Sequence, residues 1–122
     1  MIYHITTGSA WEQAQQSGHY TADSLATEGF IHCSARHQVE TVANSFYRDV
    51  DDLIVLCIDD NKLTSELKWE DPAHPTPDSP TRPSDDDLFP HVYGIINLDA
   101  VKDRVALLRT ESGDYALSPD TP

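Results

Sequence analysis

The chain has 122 residues, 39% of them apolar, and a formal net charge of −13 from 21 Asp and Glu against 8 Lys and Arg. The length suits one domain with a real core, and the charge argues against nucleic acid as a partner, since polyanions are held chiefly by Lys and Arg on their phosphates. No run reaches the roughly 18 consecutive apolar residues of a membrane helix, and "MIYHIT" opens with no basic region followed by an apolar run, so no membrane partner and a cytoplasmic location are expected.

"MIYHIT" reads as a strand by its β-branched and aromatic residues, with Ile2, His4 and Thr6 on one face and Tyr3 and Ile5 on the other. Ser9 followed by Glu12 predicts a capping box at the start of a helix. Trp11, Ala14 and Gln15 are expected to face inward, and Gly18 to close the helix in the left-handed conformation. "HYTADSLATEG" reads as a hydroxyl-rich loop, and "FIHCS" as a second strand. Ser34 is expected to cap a longer helix, residues 35 to 48, with Val39, Val42, Ala43 and Phe46 on its apolar face.

"DLIVLCID" is the most apolar run in the chain and predicts a central strand buried on both faces. "ELKWED" is a further strand, ended by Pro72. From Pro72 to Pro90 the chain is rich in Pro, Ser, Thr and Asp, which predicts a long loop. "HVYGIIN" resumes the sheet, Asn97 can cap a short helical turn, and "RVALLRT" makes a last strand. The expectation is α+β: residues 1–110 as a single domain with a mixed or antiparallel sheet and two N-terminal helices, 72–90 as a loop within it, and 111–122 as a flexible acidic tail. The two cysteines, Cys33 and Cys57, belong to no CxxC pair, and buried thiols are expected.

Three strand-like runs each carry one histidine: His4, His32 and His91. A single histidine on a strand is commonly a hydrogen-bonded structural residue. Together with Thr6, Ser34 and Tyr93, however, these three predict a polar cleft. Alternation puts Phe30, His32 and Ser34 on one face and Ile31 and Cys33 on the other, so His32 and Cys33 cannot form a nucleophilic pair. Neutral imidazole and hydroxyl groups both donate and accept hydrogen bonds, which suits a sugar or an amide. Trp69 adds an aromatic platform, and Glu70 a carboxylate able to orient a ribose hydroxyl or act as a base. His19, His37 and His74 read as surface residues.

"YHITT", "SLATEGFIHCS", "DDLIVLCID", "KWEDP" and "FPHVYGIINLDAV", in that order, resemble the bacterial "domain of unknown function 952" family from the N-terminus to about residue 108. That family has no established activity and is grouped with the ADP-ribosyltransferase-like fold. The resemblance implies NAD as a substrate: His4, on a His-x-Thr strand, would hydrogen-bond its ribose, with Thr6 beside it. "GFIHCS" is similar to the His-x-His strand of RNA 2'-phosphotransferases, with His32 in the place of the second histidine. In such sites the nicotinamide C–N bond breaks through an oxocarbenium-like transition state that the protein positions and stabilises. The pattern departs at two points. Arg36 is the only arginine near these motifs, which argues against an RNA substrate. Glu70 precedes the proline-rich segment while His91 occupies the later strand, so neither maps onto the late glutamate of active transferases.

The candidate catalytic residues are therefore His32, Glu70 and His91. The candidate ligand-binding residues are His4, Thr6, Ser34, Trp69 and Tyr93, for a nucleotide-like small molecule. Two alternatives stand beside this reading. One is a non-enzymatic binding module with structural histidines. The other is a three-histidine metal site, which spacing does not favour because there is no HxH or HxxxH; no metal is expected.

Overall fold

The computed structural model describes residues 1–72 and 88–122. Most of the predicted 72–90 loop, including His74, lies outside the described residues. Strand β1 (Ile2–Thr7) pairs antiparallel along its whole length with β4 (Leu53–Ile58), from Ile2 opposite Ile58 to Thr7 opposite Leu53. On its other edge β4 pairs with β8 (Val101–Ala106), with a register shift at Cys57/Ile58.

The "DLIVLCID" prediction is met: all six residues of β4 are buried. Their parity divides the core in two. Ile54, Leu56 and Ile58 join Ile2, Trp11, Ala14, Ile31, Val92 and Ile96 on one side. Leu53, Val55 and Cys57 join Tyr3, Ile5, Val39, Ala43 and Tyr115 on the other. Leu56 is fully buried at the centre of the sheet, so Leu56→Ala is expected to cost about 3 kcal/mol through lost transfer energy and a residual cavity. Urea denaturation tests this directly; a cost under about 1 kcal/mol would mean that the core collapses around the gap.

A second three-stranded sheet has the order β3 (Ile31–His32), β6 (Phe89–Tyr93), β5 (Glu66–Glu70), again antiparallel. Two short pairs complete the set: β2 (His19–Tyr20) with β7 (Ile96–Asn97), and β9 (Leu108–Arg109) with β10 (Tyr115–Ala116). Every pairing among the described residues is antiparallel, which agrees with the α+β expectation. Among them, no helix is long and apolar enough to cross a membrane.

The helices depart from expectation in several places. Helix α1 (Gly8–Ser17) is capped by Thr7, whose hydroxyl accepts from Ala10 N–H at 3.2 Å, so Ser9 lies inside the first turn. The helix begins directly after the strand, and its cap lies two residues before the Ser9 that the Ser9–Glu12 pattern suggested. Trp11 and Ala14 are buried as expected, Gln15 is exposed, and the helix ends at Gly18 with φ 92°. The expected loop after it holds β2, with His19 half-buried, and a short helix α2 (Asp23–Thr27). The expected long helix is a 3-10 turn (Arg36–Gln38) followed by α3 (Val39–Phe46). Ser34 does not cap it. The Gln38 side chain accepts from Ala35 N–H at 2.8 Å, and Ser34 pairs its backbone with Tyr3. Phe46 is 48% exposed and is not a core residue.

Strand β8 begins three residues before "RVALLRT", and Asn97 braces neighbouring loops: its side-chain oxygen accepts from Thr64 N–H and its amide donates to Lys62 O. The segment expected as a loose tail is anchored instead. Tyr115 is buried against α3, donates its backbone N–H to the Asn44 side-chain oxygen at 2.6 Å, and donates its hydroxyl to Val50 O. An aromatic ring placed there buries enough surface to hold the segment.

Candidate functional site

The site begins on β1. Ile2, His4 and Thr6 share one face; Ile2 is packed in the core, while His4 and Thr6 are buried polar groups that need partners. His4 Nδ1 lies 2.5 Å from His32 O, and Nε2 lies 2.7 Å from the Tyr20 hydroxyl, which is in turn 2.9 Å from Thr6 Oγ1. A carbonyl oxygen only accepts, so Nδ1 carries the proton. Burial pulls the His4 pKa down to about 4 and keeps the ring neutral. Nε2 therefore accepts from Tyr20, and the single tyrosine proton being used, the Thr6 hydroxyl donates to the tyrosine oxygen. The result is a directed chain from Thr6 through Tyr20 and His4 to the backbone of β3.

That chain ties two sheets together. Backbone bonds between Tyr3 and Ser34, at 2.8 and 2.7 Å, bring the segment after β3 alongside β1. Within the second sheet Ile31 faces Val92 in the core, so His32 and its cross-strand partner His91 share the opposite face. Their ring centroids are 5.7 Å apart, and Phe30 stacks on His91 at 4.1 Å while meeting His32 edge-on at 4.9 Å.

Each of these imidazoles has a carboxylate partner. His91 Nδ1 is 2.9 Å from Glu70 Oε1, which also accepts from the Tyr93 hydroxyl at 2.5 Å. Glu70 sits diagonally across from His91, two residues beyond the directly paired Lys68. The hydrogen bonds from Tyr93 and then His91 hold the Glu70 carboxyl below its ordinary range, and the Tyr93 phenol is raised in turn. Burial lowers the His91 pKa, against the opposing pull of Glu70. His91 is thus neutral at physiological pH, protonated on Nδ1 and basic on Nε2. On the other strand His32 Nε2 is 2.8 Å from Glu28 Oε2. That contact depends on Gly29, whose φ of 90° reverses the chain after α2 and returns the carboxylate to the strand.

These groups meet at a cavity of about 620 Å³, within the usual range for small-molecule sites. Of the predicted residues, His4, Thr6, His32, Ser34 and His91 line it. Glu70 and Tyr93 do not line it; Glu70 is joined to it by its hydrogen bond with His91, and Tyr93 by its bond to Glu70. Trp69 is 47% exposed on the opposite face of β5 and takes no part, because neighbouring residues of a strand face opposite ways. Sequence reasoning missed Tyr20 and Glu28. The only trace of either was the hydroxyl-rich composition of "HYTADSLATEG", since both reach the site through chain reversals. Cys33 also borders the cavity, but burial pushes its thiol pKa up, so it is no thiolate. Among the described residues no group of three or more His, Cys, Asp or Glu is arranged to hold a metal ion. His4 in particular has both ring nitrogens engaged elsewhere.

Residues 5–104 match the family described as "Protein of unknown function (DUF952)". The crystal structure of protein CC0527 from Caulobacter crescentus is similar at 25% identity, with a TM-score of 0.76 over 94% of this chain and 92% of that one. Its solution NMR structure gives 25% identity and a TM-score of 0.72 over 93% and 89% of the two chains. No curated protein matches the chain.

Proposed function

Since the chain belongs to the DUF952 family of proteins of unknown function, we propose from its own geometry that the cavity binds a small ribose-containing ligand, NAD or an NAD-derived one, and acts on it in the manner of an ADP-ribosyltransferase-like enzyme. The observation that carries this reading is the neutral His91 held by Glu70 at a cavity wall otherwise rich in hydroxyls. A carboxylate that fixes the Nδ1–H tautomer leaves Nε2 as a positioned base, the same logic that orients a catalytic histidine in hydrolases.

In the proposed step an acceptor hydroxyl or water attacks the ribose C1. Its proton passes to His91 Nε2 as the new C–O bond forms. The C–N bond to the base breaks, and its electron pair leaves with the base. Positive charge develops on the ribose ring, and the Glu28 carboxylate beside His32 stabilises it. His4 and Thr6 form the floor under the sugar, with no proton to give up because their hydrogen bonds run inward. The His-x-Thr resemblance of the first strand would set the ribose beside the same two residues, but with both ring nitrogens engaged His4 packs against the sugar instead of hydrogen-bonding it.

The test is an NMR titration with nicotinamide riboside, following the histidine ring protons. Shifts are expected at His4, His32 and His91, which line the cavity, and not at His19 or His37. Absence of any ring shift at millimolar ligand would rule out this reading and favour a binding module with structural histidines.

A further inference from the structure

We infer that the cavity selects phosphate-free ligands, nucleosides with a neutral or positively charged base, over their phosphorylated and dinucleotide forms. The inference rests on the ribose-site reading above and narrows it. About 620 Å³ admits a nucleoside or a larger nucleotide, so volume does not discriminate and charge must. The described residues lining the cavity include two carboxylates, Asp23 and Glu28, and among them there is no Lys or Arg. A phosphate entering there would lose its hydration and meet no Lys or Arg among the described lining residues.

The other common anion receptor is a helix N-terminus, and here it is already engaged. Thr7 lies on the cavity wall at the start of α1, but Ala10 N–H is bonded to Thr7 Oγ1 and Gly8 N–H to Asp52 O, each at 3.2 Å. Burial keeps His4 and His91 on the neutral side, and His32 is engaged with the Glu28 carboxylate at 2.8 Å. The field of a chain carrying −13 acts in the same direction.

What the wall does offer fits an uncharged sugar and a flat base. Ser24, Ser34 and Thr41 present hydroxyls of the type that can donate and accept as ribose hydroxyls require, and Thr6 adds an acceptor oxygen. Phe46 and Phe89 present ring surfaces to the cavity. Phe46, half exposed at the cavity wall, offers a stacking platform for the base, and a pyridinium would gain further from an aromatic face.

Calorimetric titration of the full chain with nicotinamide riboside, nicotinamide mononucleotide and NAD, at one pH and ionic strength, tests the inference. These probes share a base and ribose and differ in phosphate. Affinity is expected to fall on the order of tenfold with the first phosphate, equivalent to about 1.4 kcal/mol, and NAD is expected to bind no better than the mononucleotide. Added salt should weaken the cationic riboside, and Asp23→Asn should narrow the gap between the riboside and the mononucleotide. If the mononucleotide or NAD binds as tightly as the riboside, this inference is overturned while the ribose-site reading stands. If none of the three binds, both are overturned.

Discussion

His91→Gln is expected to lower the rate of glycosyl transfer or hydrolysis by about a hundred- to ten-thousandfold, the usual contribution of a positioned general base. The glutamine amide can still donate to Glu70, so the fold and the wall of the cavity persist, and ligand affinity should change only a few-fold. The discriminating reading is kcat against KM. A loss confined to kcat marks a group that acts in the transition state, whereas a rise in KM alone would reduce His91 to a binding residue. The pH profile supplies a second check. Because burial sets the His91 pKa below its ordinary value, the acid limb of the rate is expected below pH 6.5. Glu70 opposes that shift, so Glu70→Gln should move the limb lower still. A His91→Gln enzyme with full activity would remove the base assignment altogether.

A comparably large effect is expected in stability at mildly acidic pH. The His4 pKa is about 4 in the fold against an ordinary 6.5. Between those values the unfolded chain binds a proton that the folded chain does not, so stability is complete above pH 6.5 and falls as pH decreases. The loss attributable to His4 approaches roughly 3 kcal/mol by pH 4, at 1.36 kcal/mol per pKa unit. His91 shifts in the same direction and adds to the slope. Glu70 and Asp60, whose pKa values are lowered, contribute their own loss only as pH falls below their ordinary 4.5 and 3.8. The interval from pH 6.5 to about 5 therefore belongs to the histidines.

Urea midpoints followed from pH 7.5 to 4.5 for the wild type and His4→Gln separate the two histidines. The variant should start less stable, since the Tyr20 hydroxyl and the His32 carbonyl lose well-placed partners. Its pH slope should be markedly flatter. Parallel slopes would show that His4 is reached by water in the fold and titrates normally. Protonating His4 also removes the acceptor that fixes Tyr20, so the floor of the cavity and the stability of the fold share one titration.

Much of the framework was legible because it is local. Alternation in "MIYHIT" placed Ile2, His4 and Thr6 together, and the two-sided burial of "DLIVLCID" followed from its unbroken apolar run. The split between Ile31 in the core and His32 on the cavity side is likewise a property of any strand, whatever it pairs with. Where two local signals competed, sequence did not decide between them. Thr7 and Ser9 are both good caps, and the winner depended on how far β1 stays paired with β4, which runs to Thr7 opposite Leu53.

The sequence by itself therefore determined the strand faces, the neutral-to-acidic character of the chain and the histidines that would meet. Side-chain periodicity and charge are fixed before any long-range contact forms. Only the tertiary structure decided what those histidines touch. Glu28 reaches His32 through the turn at Gly29, Glu70 reaches His91 through the register of β5 on β6, and Tyr20 reaches His4 because α1 folds back beside β1. Each of these contacts is set by packing between segments separated along the chain or by a chain reversal, where no periodicity carries the information. Trp69 shows the same limit in the opposite sense: it adjoins Glu70 in sequence, yet the pleat of β5 turns it away from the site.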